Sequence, residues 1–452
     1  MHESPEVLKI LAAELIDRVK AHGATEADVM VAEGDSVSVQ VRLATVDRLS
    51  KAREKNLGIR VFFGKRSASA STSDFSETSL KQLVDDTCAL AKAVAEDETS
   101  GLPEQAAMAT DVPDLDLYDP TTMPVEEAID VAQRAERAAL DVDPRVTNSE
   151  GAECGSAYGA VVLANTHGFL GYHRSSTFSL SVAPVAEGPD DQGMQRDYWY
   201  TVSRKQRELE DPESIGRIAA ERTLRRLGAR KVGTQRVPVI FDPETACSVL
   251  GHLASAVSGY SLYKGASFLL GQLGKPIAPK HVNVEDNGCL PGKLGSRPFD
   301  GEGLPTRKTM ILDQGVLSSY LLDTYSGRKL GMASTGNASR SIGDNPTVSP
   351  TNLFFHPGDE SPDEIIQSVT QGLYVTELIG FGVNMVTGDY SRGASGFWIE
   401  NGELAYPVEE VTIAGNLKQV FQDIESIGND LVFRGKLASP TIRIREMMVG
   451  GH

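Results

Sequence analysis

Two residues able to bind a soft metal fall on one predicted helix. The segment DPETACSVLGHLASAVSG, residues 242–259, carries Cys247 and His252. A thiolate and an imidazole are both good zinc donors, but a zinc site takes three or four ligands and this helix offers two. The other reading of His252 is an ordinary helix histidine, hydrogen-bonded to Ser248 at i−4 or Ser255 at i+3. Other donors form no better set. His167 and His173 lie six apart on a predicted strand, so parity puts them on one face, yet nothing nearby completes a site. His281 and Glu285 have helical spacing, but Val282 and Val284 alternate as in a strand. His356 precedes Pro357-Gly358 and reads as turn. Asp300 and Glu302 could pass for an acid/base pair. With no perturbing partner in view, they read as a solvated loop.

Familiar catalytic signatures are missing. There is no H-E-x-x-H and no G-x-S-x-G elbow. The stretch from Gly58 to Arg66 resembles a phosphate loop, but it has one spacer too many and ends in arginine, so it reads as a hairpin turn. The four cysteines are far apart, with no C-x-x-C, which argues against a disulfide framework or zinc ribbon and for a reducing cytoplasm. Cys88 follows Val84 by four and reads as helix core. A net charge of −18 argues against nucleic acid and against anionic membranes. No run of about 18 apolar residues could cross a bilayer, and charges interrupt the N-terminal apolar residues as a signal peptide would not allow.

The elements that must position these residues follow from their periodicity. Ser4-Pro5-Glu6 starts a helix with Val7, Leu8, Leu11, Leu15 and Val19 on one face, ended by Gly23. Val37, Val39, Val41 and Leu43 alternate with polar residues as one strand, and two more surround Gly64-Lys65. Helices are predicted over about 77–95, 124–141 and 213–227. Between the first two, about 93–123, lies an acidic, proline-bearing and exposed connecting segment. A meander of strands covers 156–188. Near residue 232 the composition changes, giving two domains: 1–232, mixed α+β, and 233–452, strand-dominated and barrel-like. Within the second, Asp242 caps the helix, Pro243 opens it and Gly259 ends it.

The strand and helix VPVIFDPETACSVLGHLASAVSG, then SLYKGASFLLGQLGKPI, FDGEGLPTRKTMILDQGVLSSYLLDTYSGRKLG, GFGVNMVTGDYSRGASGFWIENGELAYPVEEVTIAGNL and PTIRIREMMVGG together resemble the TldD/PmbA family, over nearly the whole chain. That family pairs a catalytic TldD subunit with a PmbA (TldE) subunit. Its TldD branch carries His-Glu-x-x-x-His on the corresponding helix and a zinc-binding cysteine near the C-terminus. Aligned on Gly251-His252, the first histidine falls on Cys247, the glutamate on Ser248 and the C-terminal cysteine around Ser426-Ile427. Serine cannot take a proton from zinc-bound water at neutral pH. The resemblance therefore implies a PmbA-type, non-catalytic chain with no cofactor of its own. Zinc would sit in a TldD-type partner, in a heterodimer acting on peptides or unfolded polypeptides; a homodimer is the alternative without that partner. Residues expected to line the peptide surface are Asp300 and Glu302 within 299–303, and Asp389, Tyr390, Ser391 and Arg392 within 387–396, by β-addition or as a structural turn cluster. Two other readings stay open: a self-sufficient metallopeptidase built on Cys247 and His252, and a binding protein with no enzymatic role.

Overall fold

Four strands of 17 to 20 residues dominate the first half of the computed structural model, which describes residues 4–188 and 193–451. Helix α1 (Pro5–Ala21) begins where Ser4 caps it. It leads into β1 (Glu26–Arg42), β2 (Thr45–Phe63) and β3 (Arg66–Thr72). After α2 (Glu77–Ala93) and α3 (Val125–Leu140) come β4 (Val146–Asn165), β5 (Leu170–Glu187), β6 (Met194–Arg196), β7 (Trp199–Ser203) and α4 (Pro212–Leu224). The sheet runs β3-β2-β1-β4-β5-β6, with β7 also on β5, and every pairing is antiparallel.

Strands of this length extend for roughly 60 Å, too far for one helix pair to cover. Two pairs therefore share one face. Helices α1 and α2 bury Val29, Val31, Ile59 and Val61. Helices α3 and α4 bury Val39, Val41, Cys154, Phe178 and Leu180 further along the same strands. The second pair crosses so closely that a Cβ on Gly216 would lie 2.1 Å from the Ala135 carbonyl oxygen. Cys88 is buried core on α2, as its spacing predicts. Leu43 departs from the predicted alternation. It sits in the β1–β2 turn at φ 49° and is exposed, because the strand ends at Arg42. The acidic segment is not a free connector either. Leu102, Leu115, Leu117 and Met123 are buried, and Arg328 donates to the carbonyls of Thr99, Gly101 and Leu102 at 3.2, 3.2 and 2.6 Å. Its sparse apolar residues dock, Asp119 is buried and Asp97 accepts from Tyr325 and Lys329, while most of its other acids are exposed.

The second half contains β8 (Gln235–Phe241), α5 (Pro243–Ala256), α6 (Gly259–Tyr263), β9 (Val284–Asn287), β10 (Lys308–Asp313) and β11 (Val316–Leu317). Then come α7 (Thr324–Leu330), β12 (Ala338–Ser339), β13 (Thr347–Val348), β14 (Leu353–Phe355), α8 (Pro362–Gln367) and β15 (Gln371–Ile379). The rest is β16 (Asp389–Glu400), β17 (Glu403–Asn416), α9 (Leu417–Gln422), β18 (Ile424–Ile427), β19 (Leu437–Ala438) and β20 (Ile442–Gly450). Strands β17-β16-β15-β8-β20 close into a five-stranded barrel, since β20 returns to pair with β17. A second sheet runs β11-β10-β9-β14-β19. Helix α5 packs between them, touching β8 and β15 on one side and β14 and β19 on the other. It ends at Ala256, short of the predicted Gly259. Gly259 instead opens α6, where a Cβ would lie 2.3 Å from the Ser326 hydroxyl.

The halves meet across the face of the long sheet that the helices leave bare. There Asp28 accepts hydrogen bonds from Arg60 at 3.0 and 2.6 Å and from Arg340 at 2.6 Å. All three side chains are buried. Burial pushes the Asp28 carboxyl up, but the two guanidiniums win and hold it below its ordinary value. Met30, Leu163 and Phe169 pack against Phe299 beside this cluster. Removing the carboxylate strands two buried cations, so Asp28→Ala is expected to cost about 3–5 kcal/mol. Urea unfolding of the two proteins checks this, and a loss below about 1 kcal/mol would contradict the cluster's role.

Candidate functional site

The face of α5 turned toward β16 carries the chemistry. The helix is held by its cap: Asp242 accepts from the Thr245 backbone N–H at 2.8 Å and from its hydroxyl at 2.7 Å, and burial pushes its carboxyl up to about 6. Ser248 and His252, one turn apart, share a side of the helix. Opposite them on β16, alternation turns Tyr390 and Arg392 toward α5 and leaves Asp389 and Ser391 exposed on the other side. His252 and Tyr390 meet edge to face at 5.8 Å. Four polar atoms here are closed off from solvent with no hydrogen-bond partner: Ser248 Oγ, His252 Nε2, Tyr390 Oη and Arg392 Nε. Ser248 lies beside the Tyr390 hydroxyl without closing a hydrogen bond of normal geometry. Neither Ser248 nor Ser255 holds His252, contrary to the sequence expectation. The Ser255 hydroxyl donates to the Gly251 carbonyl at 2.9 Å, the usual resting place of a helix serine.

Cys247 does not join His252. Five residues apart, they point about 140° apart around the helix. The Cys247 sulfur donates to the Leu437 carbonyl at 3.5 Å, and burial pushes the thiol up to about 12, so it stays protonated. Burial, with help from Arg392, lowers His252 to about 4 and keeps its imidazole neutral. A zinc ion does not suit this donor set of one imidazole, two hydroxyls and a guanidinium, which would repel a cation. Ser426 and Ile427 lie in β18, paired to β20.

A cavity of about 410 Å³ opens beside this face. Its walls come from Trp199 and Tyr200 on β7, Arg222 on α4, Glu244 and Ser248 on α5 and Arg392 on β16, so both halves of the chain build it. Tyr200 donates to Glu244 at 2.9 Å. Sequence reasoning passed over these β7 residues; the aromatic run Tyr198-Trp199-Tyr200 was the signal available.

The remaining sequence candidates separate. Residues 389–392 are not a loop: β16 is paired along this stretch with β17 on one side and bridged at Val383–Tyr390 on the other, which leaves no free edge for β-addition there. Asp300 and Glu302 are not solvated. Asp300 accepts backbone hydrogen bonds from Glu302, Leu304 and Ala338 at 2.9, 3.0 and 3.1 Å. Glu302 accepts from the Thr324 backbone N–H at 2.9 Å and lies 4.0 Å from Arg60. Burial first, then Asp300, pushes Glu302 up to about 7. It lines a second cavity, about 360 Å³, with Tyr260, Tyr263 and Tyr325. His167 lies in the β4–β5 turn rather than on a strand with His173, bonded to the Pro103 carbonyl at 3.0 Å. His173 is buried against Phe299, and His356 pairs with Glu285 at 2.9 Å. His281 lies in a turn before β9. Among the described residues, no three His, Cys, Asp or Glu side chains stand together as metal ligands, and no helix is long and apolar enough to cross a membrane.

Comparison with known proteins covers most of the chain. Residues 27–91, 118–227 and 234–451 match domain 1, the central domain and the C-terminal domain of the PmbA/TldA metallopeptidases. The chain is 40% identical to the metalloprotease PmbA of Escherichia coli O157:H7 over 94% of its own length and 92% of that protein's. It is 39% identical to the PmbA homologue of Haemophilus influenzae, again over 94% and 92%. Among solved structures, a protein of Bacteroides thetaiotaomicron described as a candidate modulator of DNA gyrase superposes with a TM-score of 0.91 at 29% identity, covering 98% and 99% of the two chains. TldE of Thermococcus kodakarensis has the same fold, with a TM-score of 0.83 at 22% identity and coverage of 98% and 100%.

The neutral His252 has a consequence for pH. The unfolded chain takes up its proton near 6.5, whereas the native site refuses it until about 4. Stability therefore falls as pH drops through that window. Wild type is expected to lose about 1–2 kcal/mol more than His252→Gln between pH 7.5 and 5, after discounting for partial exposure. Asp242 shifts in the opposite sense but is common to both proteins, so it cancels. Equal losses in paired denaturation curves would show that His252 titrates normally.

Proposed function

The chain belongs to the TldD/PmbA family, and on that footing we propose that it is the non-catalytic PmbA-type subunit of a heteromeric zinc peptidase, acting in the cytoplasm on peptides or unfolded polypeptides. The observation that carries this reading is the α5 face. The position where the resemblance expects the glutamate base holds Ser248, and among the described residues no carboxylate is hydrogen-bonded or ion-paired to His252; Glu244, two turns away, is bonded to Tyr200. A general base works best with a proton affinity near the operating pH. His252, lowered to about 4, is too weak for that task. Cys247 is turned aside and protonated, and Arg392 brings positive charge to the place a metal would occupy.

On this reading zinc, bound in the partner, supplies the activated water. This chain contributes surface. It completes the chamber, orders the partner's site and holds part of the substrate. The cavity between β7, α5 and β16 supports the holding role, because two rigid elements and the inter-domain junction fix its walls.

The test is reconstitution. Co-purified with a family member bearing His-Glu-x-x-x-His, this chain should be retained in a stable complex, and the mixture should cleave an unstructured polypeptide that this chain alone leaves intact. The isolated chain should hold well under one zinc per molecule by elemental analysis. Cleavage by the isolated chain, abolished by His252→Ala, would overturn the assignment and favour a self-sufficient enzyme.

A further inference from the structure

We propose that the cavity between β7, α5 and β16 is a carboxylate-binding site, with Arg392 as its charge partner, and that it takes the C-terminal α-carboxylate of a peptide. The identity of the ligand rests on the peptide reading above; the carboxylate chemistry rests on the cavity itself.

Four arginines line the cavity, and three are already matched. Arg196 pairs with Glu150 at 2.8 Å. Arg222 lies 3.4 Å from Asp197, and Arg226 bridges Asp197 and Glu377. Arg392 is different. Among the described residues its one hydrogen bond runs from Nη2 to the Leu378 carbonyl at 3.3 Å, and it faces no carboxylate within ion-pair distance. Its Nε is buried and unpartnered; the Arg222 Nε also lacks a hydrogen bond but has the Asp197 carboxylate beside it, which Arg392 does not. A buried, unsatisfied guanidinium nitrogen is costly, and a planar carboxylate is the group its fork fits best.

Ser248 lines the same cavity, and Tyr390 and His252 stand behind it with their own polar atoms unpartnered. Ser248 is the member of this group that lines the cavity; the Tyr390 hydroxyl and the neutral His252 imidazole are a layer behind it and stand ready to hydrogen-bond to Ser248 rather than to a ligand directly. The lining charges balance overall, but among the described residues Arg392 has no carboxylate at ion-pair distance and Glu244 accepts only from the neutral Tyr200 hydroxyl, so a single negative charge is taken at the Arg392 end, beside Ser248. Glu244 and Glu377 in the walls weigh against a dianion such as phosphate. Trp199 offers an apolar wall for the ligand's last side chain.

Trp199 also supplies the readout. The chain has two tryptophans, and Trp398 is 1% exposed within the C-terminal core, so a ligand-induced fluorescence change reports the cavity. The chain alone is titrated by fluorescence, and its zinc-stripped complex with the partner by calorimetry, with one unstructured octapeptide as free acid and as C-terminal amide, and separately with acetate and inorganic phosphate. The free acid should bind at least ten-fold tighter than the amide. Arg392→Gln, shown by its melting curve to be folded, should abolish that preference without changing amide affinity, while Arg392→Lys keeps part of it. Acetate should compete, and phosphate should compete less well. Equal binding of acid and amide would leave the peptide reading standing and overturn this site. Arg392-dependent acetate binding with no peptide binding would remove the peptide as ligand and the reading above with it. Tighter binding of phosphate than acetate, or no binding of any probe in either form, would also overturn the proposal.

Discussion

A carboxylate at the start of β1, buried between two guanidiniums, fixes how the halves of this molecule sit together. Asp28 belongs to the long N-terminal sheet, as does Arg60; Arg340 comes from the C-terminal half. Desolvating three charges is expensive, and the cluster offsets that cost by hydrogen-bonding Asp28 to both guanidiniums, with the Arg340 Nε left unpartnered. Its position follows from β1 alternation. The odd residues of β1, from Val29 to Val41, face the two helix pairs. Its even residues Asp28 and Met30 face the C-terminal half, one ionic and one apolar. One strand thus addresses two neighbours, and the period of two in its sequence is what keeps them apart.

The same junction explains why two carboxylates that look solvated in sequence are buried. Asp300 and Glu302 stand in a short turn bounded by glycines, and nothing local distinguishes them from surface acids. Their partners Arg60 and Thr324 are far away in sequence. Burial at the junction and the neighbouring Asp300 raise Glu302 to about 7 against the pull of Arg60, so its charge depends on how tightly the halves close. The acidic segment behaves alike. Its acids suggest a free connector, while a few apolar residues and Arg328 from α7 bind it across the junction.

Local signals were legible wherever local physics decides. The caps at Ser4 and Asp242, the helix faces and the strand alternation all follow from side-chain type and period. The β-rich second half was legible as a class. Its closure was not, because the β17–β20 pairing joins residues near 413 to residues near 449, and such a register leaves no local trace. For the same reason 387–396 read as a loop: its glycines and polar residues suit a turn, yet barrel closure conscripts residues 389–396 into β16. The α5 face was half legible. Ser248 and His252 are marked by their spacing, but Tyr390 and Arg392 reach them only through the barrel, and the β7 aromatics only through the junction.

On the proposed reading, that face is a helix scaffold suited to an anion rather than to a cation. Zinc requires donors that are neutral or negative and a base poised above its water. Here Cys247 points away from His252, Ser248 stands one turn from that histidine, and Arg392 supplies a positive charge. The imidazole stays neutral because it is buried and because that guanidinium is near. A protonated His252 would add a second positive charge beside Arg392, which adds to the effect of burial in keeping the imidazole neutral. Among the described residues, Arg392 is left as the lining arginine without a carboxylate at ion-pair distance, and the proposed monoanion site rests on that difference from Arg196, Arg222 and Arg226.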